Sequence, residues 1–235
     1  MHGAPYLIVS GYKGIANTSP AAVQAEPIWF DLRETVAKTC SLIAQAASQG
    51  AQIVAFSESF IPGCPTWCTI NSDGEIVTAR RKLKPVHMEK TVFGYGDRPT
   101  LENTADTAVG RVGDHYNPLL AFNTYLQGEQ IHVSAWLPVA SRSAIPSISS
   151  VYSMQAQDFT LHSKAIISVA GVKEFSLENT PLFNTPRGGN ARIYAPDGRL
   201  LATDLSSTEE GMVFADLDLD WVVRERPLLV NAGHS

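Results

Sequence analysis

Apolar residues along the chain follow two spacings, which predict helices and strands in alternation. An apolar stripe recurs at helical spacing and consists of Leu32, Val36, Cys40, Ile43 and Ala47. Asp31 with Glu34 has the form of a capping box, and Gly50 stands where a helix-ending residue is expected. The pattern predicts a helix that buries Cys40, followed by a short strand in "QIVAF" that is buried on both faces.

The later segments repeat this alternation and then change to hairpins. "LLAFNTYLQGEQIHVSAWLP" predicts a helix ending near Gly128 and a strand with Ile131, Val133 and Ala135 facing inward. "IPSISSVYSMQAQDFTLHSKAIISVAG" predicts another helix running into a strand. Hairpins are predicted at Asp73-Gly74, over Thr107–Gly113 and at Pro196-Asp197-Gly198, and "EGMVFADLDLDWV" predicts a last strand and a helix start. One α/β domain over residues 1–235, with layered sheets and outer helices, is the expected architecture.

Composition excludes several classes of partner. The 235 residues carry a net charge of -5, and "ARRKLK" is the single basic run, so no nucleic-acid partner is expected. No apolar run reaches the ~18 residues of a membrane span, so no membrane partner is expected either. The three cysteines are an odd and sparse set, which indicates reduced thiols and a cytoplasmic location.

Glu58 is the first candidate for chemistry. It follows the short buried strand, where a loop begins, and this is a favourable place for a catalytic carboxylate. From position alone, a solvated or helix-capping carboxylate explains Glu58 equally well. Lys82 lies in the basic run, which by itself is typical of a solvated sheet edge.

Several segments together resemble the nitrilase branch of the carbon–nitrogen hydrolase superfamily. "IVAFSESFIPGCPTW" is similar to the family segment F-P-E-x-F-I-P-G-Y-P-x-W, and "RRKLKPVHMEKTVFGYGD" to the segment R-R-K-L-K-P-T-H-x-E-R-x-x-x-G-x-G-D. "AAVQAEPIWFDLRETVAK", "HYNPLL", "GEQIHVSAW" and "RIYAPDGRLLA" fit further parts of the pattern. The resemblance covers nearly the whole chain after Pro20.

The resemblance implies a fold and a set of site residues. The expected fold is a four-layer α-β-β-α sandwich, and the expected site is a Glu-Lys-Cys triad without cofactor or metal. Glu58 matches the general base, Lys82 the lysine that stabilises the tetrahedral intermediate, and Glu89 a supporting glutamate. Ser57 replaces the family's proline beside the base. The implied reaction converts an organic nitrile and water into a carboxylic acid and ammonia, and the implied assembly is a homo-oligomer.

The cysteine of this triad has no counterpart in the chain. In the family, G-R-V/L-G continues into a short apolar strand, a cysteine on a sharp turn, and W-E-x-x-x-P. Here Gly113 is followed by Asp114, His115 and Tyr116 and then directly by Asn117-Pro118. A second interruption lies between residues 68 and 69, where the family carries several dozen more residues. The chain is therefore interpreted as a truncated relative that lacks strands and a nucleophile.

Three alternatives remain open from the sequence. Cys64 or Cys68, on the predicted loop after Glu58, is a conceivable substitute nucleophile, and the same pair with a histidine is a weak metal-site pattern. The second alternative is a non-catalytic subunit that co-assembles with intact homologues. Because a central strand buries several large side chains worth roughly 1.5–3 kcal/mol each, poor stability is the third outcome. Trp136 is expected either to line the substrate pocket or to be a core aromatic residue.

Overall fold

The computed structural model describes residues 6–10, 17–61, 66–83, 85, 94–97, 101–113, 118–138, 144–180, 188–202 and 205–226. The first strands in chain order are β1 (Tyr6–Ser10), β2 (Asn17–Thr18), β3 (Pro20–Ala25), β4 (Ile53–Ala55), β5 (Thr66–Asn71), β6 (Ile76–Arg81), β7 (Thr104–Thr107) and β8 (Gly110–Gly113). They are followed by β9 (Ile131–Trp136), β10 (Phe159–Ala165), β11 (Arg192–Tyr194), β12 (Gly211–Phe214) and β13 (Leu217–Asp218). The helices are α1 (Leu32–Ser48), α2 (Pro118–Leu126), α3 (Ala144–Ala156), α4 (Val169–Glu174) and α5 (Leu219–Glu225).

Eleven of these strands form one continuous sheet. Its main path runs β6-β5-β1-β4-β3-β10-β9-β8-β7, with β11 paired to β10 and β12 paired to β3. The pairs β3–β4, β3–β10, β10–β9 and β9–β8 are parallel, as expected for strands joined by helices. The mixed, curled sheet with outer helices confirms the predicted α/β class. All eleven strands belong to the same hydrogen-bonded sheet.

The main hydrophobic core fills the inside of this curled sheet. It combines Ile131 and Val133 of β9 with Phe159 and Leu161 of β10, all buried, and it extends to Trp67 of β5. The inward positions predicted for Ile131 and Val133 are thus confirmed. No helix among the described residues has both the length and the apolar character that a bilayer span requires.

The start and end of α1 agree with the sequence prediction. Asp31 is the N-cap, and its carboxylate accepts a hydrogen bond from the Glu34 backbone N–H at 2.9 Å. Gly50 adopts a φ of 88°, the left-handed conformation that glycine reaches without strain. Local capping chemistry therefore fixed both ends of the helix.

The buried face of α1 differs from the prediction. Leu32 is 59% exposed, Val36 is 41% exposed and Cys40 is exposed, so the expectation of a core thiol was wrong. The face against β3 and β4 consists of Thr35, Thr39, Leu42 and Ala46. The threonine hydroxyls donate to the carbonyls of Ile28 and Thr35, both at 2.8 Å, so they are buried without losing a hydrogen bond.

Two leucines of α1 test this corrected face. Leu42→Ala removes a side chain packed between helix and sheet and should lower the free energy of unfolding by about 2–4 kcal/mol. Leu32→Ala makes the same substitution on the exposed face and should change it by less than about 0.5 kcal/mol. Urea unfolding of both variants provides the measurement. A larger loss of unfolding free energy for Leu32→Ala than for Leu42→Ala would show that the predicted stripe is the buried face.

Candidate active site

Glu58 lies on a turn that follows β4 and is anchored on both sides. Phe56 and Ser57 continue from the strand and are each 1% exposed. The ring of Phe60 packs against that of Phe56, with centroids 5.1 Å apart. Ser59 has a φ of 54°, which turns the chain sharply between them. The two buried aromatic rings thus hold the turn that presents the Glu58 carboxylate.

Lys82 is presented by the end of a different strand. It follows Arg81, the last residue of β6, and its carbonyl accepts a hydrogen bond from the Gly96 N–H at 3.2 Å. Arg81 also forms an ion pair with Asp97 at 3.0 Å. These contacts fasten residues 94–97 to the end of β6 and fix the backbone from which the Lys82 side chain extends.

The two side chains meet in an ion pair. Lys82 Nζ donates to Glu58 Oε1 at 2.7 Å, across 24 residues of sequence. The side chains are 27% exposed for Lys82 and 13% exposed for Glu58. The pair is therefore partly shielded from water, which strengthens it relative to a pair on the open surface. Glu58 and Lys82 are thus in contact with each other, and a simple solvated carboxylate and a solvated sheet-edge lysine do not describe them.

This arrangement can perform two chemical tasks. A carboxylate held in place can accept a proton from a bound group. An ammonium group held in place can stabilise negative charge that develops on a substrate atom next to it. The general-base and intermediate-stabilising roles of Glu58 and Lys82 remain predictions that this geometry allows.

Several residues of the predicted site lie outside the described residues. These are Glu89, Cys64 and the segment 114–117 between β8 and α2. Cys68 is described, and it occupies β5 rather than the loop on which it was expected. It is 2% exposed within a regular strand, where nothing resembles the strained turn of a nucleophile. Cys40 is exposed on α1.

A second polar set, not singled out in the sequence, lies at the end of β8. The Glu129 carboxylate is paired with His132 Nδ1 at 2.9 Å and accepts a hydrogen bond from the Tyr152 hydroxyl at 2.7 Å. The His132 and Tyr152 rings stack with centroids 3.6 Å apart. A Cβ atom at Gly113 would collide with the Glu129 carboxylate, so glycine is required where β8 ends. Glu129 thus lies directly beside the start of the segment that lacks the cysteine.

Asp158 is the fourth member of this cluster. It is fully buried, and burial together with the negative charge of Glu129 raises the pKa of its carboxyl well above the usual value. Its Oδ1 accepts a hydrogen bond from Thr160, and its Oδ2 accepts none. The raised pKa favours the protonated form of Asp158. Burial and Glu129 also raise the pKa of Tyr152.

A third polar set lies on the face of the sheet that α3 covers. Ser149 of α3 is hydrogen-bonded to Ser134 at 2.7 Å and to His162 Nδ1 at 2.8 Å. Burial, with Lys164 and Arg192 nearby, lowers the pKa of His162 to about 3, so its ring is neutral. Burial and Arg192 lower the pKa of Lys164 to about 8. These residues recur at every second position of β9 and β10, an alternation from which the sequence could have predicted a polar face.

Trp136 belongs to this third set as well. It is half-buried, and its indole N–H donates to Ser134 Oγ at 2.8 Å. Its ring centroid is 6.1 Å from that of His162. The contact fixes Trp136 over the helix-facing side of β9, and its predicted place in a substrate pocket stays a prediction. No group of three or more metal-ligating side chains occurs within the described part of the chain.

Known proteins share both the sequence pattern and the fold. Residues 21–69 and 65–225 match the carbon-nitrogen hydrolase family model. An arylacetonitrilase of Aspergillus kawachii is 36% identical, covering 91% of this chain and 87% of the relative. The bromoxynil-specific nitrilase of Klebsiella pneumoniae subsp. ozaenae is 34% identical, covering 91% of this chain and 81% of the relative. A solved amidase from Nesterenkonia sp. has a TM-score of 0.71 at 14% identity, over 94% of this chain and 98% of its own.

The sequence matches are interrupted within the chain. The family model matches in two pieces that meet over residues 65–69, at the start of β5. The alignment with the Aspergillus kawachii protein is 286 positions long, whereas 91% of this 235-residue chain is about 214 residues. About 72 positions of that alignment therefore have no counterpart here.

The proton held by Asp158 predicts a pH dependence. Because the folded-state pKa is raised, the native chain keeps a proton that the unfolded chain releases above about pH 4. Stability is therefore lost as pH rises from about 4 through the folded-state pKa. Asp158→Asn carries no such proton, so the wild type should lose up to about 1.4 kcal/mol per pH unit relative to this variant.

Urea unfolding at pH 5, 6, 7 and 8 would measure that difference. The exposed turn residue Asp73 supplies the control, since Asp73→Asn should follow the wild type at every pH. Parallel stability curves for Asp158→Asn and the wild type would show that Asp158 is ionised in the native chain.

Proposed function

Because the chain belongs to the carbon–nitrogen hydrolase family, in its nitrilase branch, we propose that it keeps the base and the lysine of nitrile hydrolysis but lacks the thiol that begins it. One observation carries this proposal. The Glu58–Lys82 ion pair is formed at 2.7 Å in a chain whose only residues between Gly113 and Asn117 are Asp114, His115 and Tyr116. The site thus retains two of three members of the triad.

The reaction explains what each retained residue can do. A base removes the thiol proton, and a bond forms between sulfur and the nitrile carbon while negative charge grows on the nitrogen. Lys82 is the cation for that nitrogen, and Glu58 is the base for the thiol and later for the water that releases the acid. Ammonia and the carboxylic acid leave. Without the thiol, the first bond to carbon does not form, and Glu58 and Lys82 neutralise each other.

The interrupted matches support a true loss of chain segments. The two pieces of the family match meet near residue 68, where the sequence predicted the larger interruption. The unmatched positions of the Aspergillus kawachii alignment correspond to several dozen missing residues. We therefore treat residues 1–235 as a single incomplete nitrilase-like domain. The odd and sparse set of three cysteines supports a reducing compartment such as the cytoplasm.

Ammonia release from nitriles tests the catalytic part of the proposal. Removal of a triad nucleophile lowers turnover on the order of a millionfold in other enzymes. The purified chain should therefore release ammonia from phenylacetonitrile no faster than its Lys82→Met and Glu58→Gln variants. The Aspergillus kawachii arylacetonitrilase serves as the positive control. Ammonia release by the wild type that disappears in Lys82→Met would overturn the proposal.

A second proposed function, co-assembly with intact homologues, rests on the outer face of α2 and α3. A groove of about 470 Å³ lies between these helices and is lined mainly by apolar surface from Ala121, Tyr125, Ile148, Val151 and Tyr152. On the same two helices Phe122 is 45% exposed, Leu126 58% and Met154 40%. Such a patch is typical of a protein contact surface. The same face on an intact homologue is the partner we propose for it.

Substitution of two exposed valines tests whether this helix face, rather than another part of the surface, forms the contact. Val151 of α3 is 43% exposed beside the groove, and Val223 of α5 is 63% exposed. With co-expressed Aspergillus kawachii arylacetonitrilase, the wild type and Val223→Asp should elute together with it on size-exclusion chromatography. Val151→Asp should elute alone, because a charge in an apolar contact is costly. Separate elution of the wild type would refute co-assembly.

A further inference from the structure

β1 occupies an unexpected place in the sheet. It lies between β4 and β5, antiparallel to β4 and parallel to β5. Ile8 is opposite Ala55 on one side and Thr69 on the other. A strand with partners on both sides is an interior strand, although this one belongs to the first ten residues of the chain.

This strand precedes the part of the chain that matches the family. The match to the family model begins at residue 21, which lies within β3. The match is broken over residues 65–69, at the start of β5. β1 thus fills the space between β4 and β5, and the break in the match overlaps the first residues of β5.

The β5–β6 hairpin reaches the rest of the sheet through β1. Among the described residues, β5 pairs with β1 and β6, and β6 pairs with β5 alone. Lys82 follows the end of β6, whereas Glu58 follows β4 on the other side of β1. Neighbouring strands are about 4.8 Å apart, so direct pairing of β5 with β4 would shift the hairpin by about that distance. Such a shift is larger than the 2.7 Å that separates Lys82 Nζ from Glu58 Oε1, so the present geometry of the pair depends on the strand between them.

We propose that β1, by pairing with β4 on one side and β5 on the other, positions Lys82 against Glu58 and takes a place in the sheet left open by the segment whose loss within β5 is proposed above. The strand acts through backbone pairing, as a spacer of one strand width. Its effect is on the geometry of the ion pair, so it holds whether or not the chain hydrolyses nitriles. The occupant of the space is residues 6–10 of the same chain, joined to β4 by three residue pairs and to β5 by five.

Competitive lysine acetylation followed by peptide mass spectrometry tests the positioning. Ile8→Pro removes a backbone N–H from an interior strand and should disrupt β1. Ile8→Val, which keeps the β-branched shape, is the matched control. Ile8→Pro should raise the acetylation rate of Lys82 by about two- to fivefold, the range expected when a partly exposed ion pair is lost. The Glu58→Gln variant gives the acetylation rate of Lys82 when its carboxylate partner is absent.

Lys38 provides the internal reference. It forms a comparable ion pair with Glu210 at 2.6 Å, at 22% exposure, and it lies on α1 away from β1. Its acetylation rate should be the same in all variants. An unchanged Lys82 rate in Ile8→Pro would overturn the proposal, as would a rise of both lysines by the same factor. A Lys82 rate that depends on protein concentration would assign the strand to a second copy and would overturn the placement within one chain.

Native-state hydrogen exchange in low urea tests the same proposal without a substitution. The amides of β1, β5 and β6 should open as one unit, at a lower free energy than the amides of β9 and β10. Continued protection of β5 and β6 while β1 exchanges would show that the hairpin does not depend on β1. This measurement remains decisive even if Ile8→Pro fails to fold.

Discussion

The structure depends on a hydrogen-bonded sheet that remains continuous across the break in the family match. Glu58 and Lys82 lie at the ends of β4 and β6, which are separated in the sheet by β1 and β5. Their side chains can meet only if every intervening strand keeps its spacing and register. Because β1 is paired on both sides, the sheet has no gap at that place. The ion pair is thus a consequence of the ladder as well as of the two charges.

A continuous sheet positions Glu58 and Lys82 but does not by itself supply the third member of the proposed triad. The Glu58 carboxylate and the Lys82 ammonium group are held together and partly shielded from water, whereas the proposed reaction begins with a thiolate. Next to the end of β8, the Glu129 carboxylate is hydrogen-bonded to His132 and Tyr152, and its negative charge contributes to the raised pKa of Asp158. This buried polar cluster requires glycine at Gly113. The described side chains next to the end of β8 are therefore held in place by hydrogen bonds.

Local signals in the sequence were enough to predict most elements. The Asp31 cap, the Asp73-Gly74 hairpin and the alternation in β9 each depend on neighbouring residues, and each prediction was confirmed. The helix face of α1 was predicted wrongly because Thr35 and Thr39 bury their hydroxyls through backbone hydrogen bonds, which hydrophobicity alone does not reveal. The Glu58–Lys82 contact came from the family resemblance, since its 24-residue separation has no local signature. The place of β1 was not predictable from local signals, because its partners β4 and β5 are distant in the sequence.

Intact-mass spectrometry after incubation with a nitrile decides whether the chain contains a working nucleophile. Addition of a thiol to a nitrile gives a thioimidate, which raises the protein mass by the mass of the nitrile. The purified chain should keep its own mass after incubation with phenylacetonitrile, whereas the Aspergillus kawachii arylacetonitrilase should show an adduct or its acyl product. A stoichiometric adduct that peptide mapping places on Cys64 or Cys68 would contradict the loss of the nucleophile.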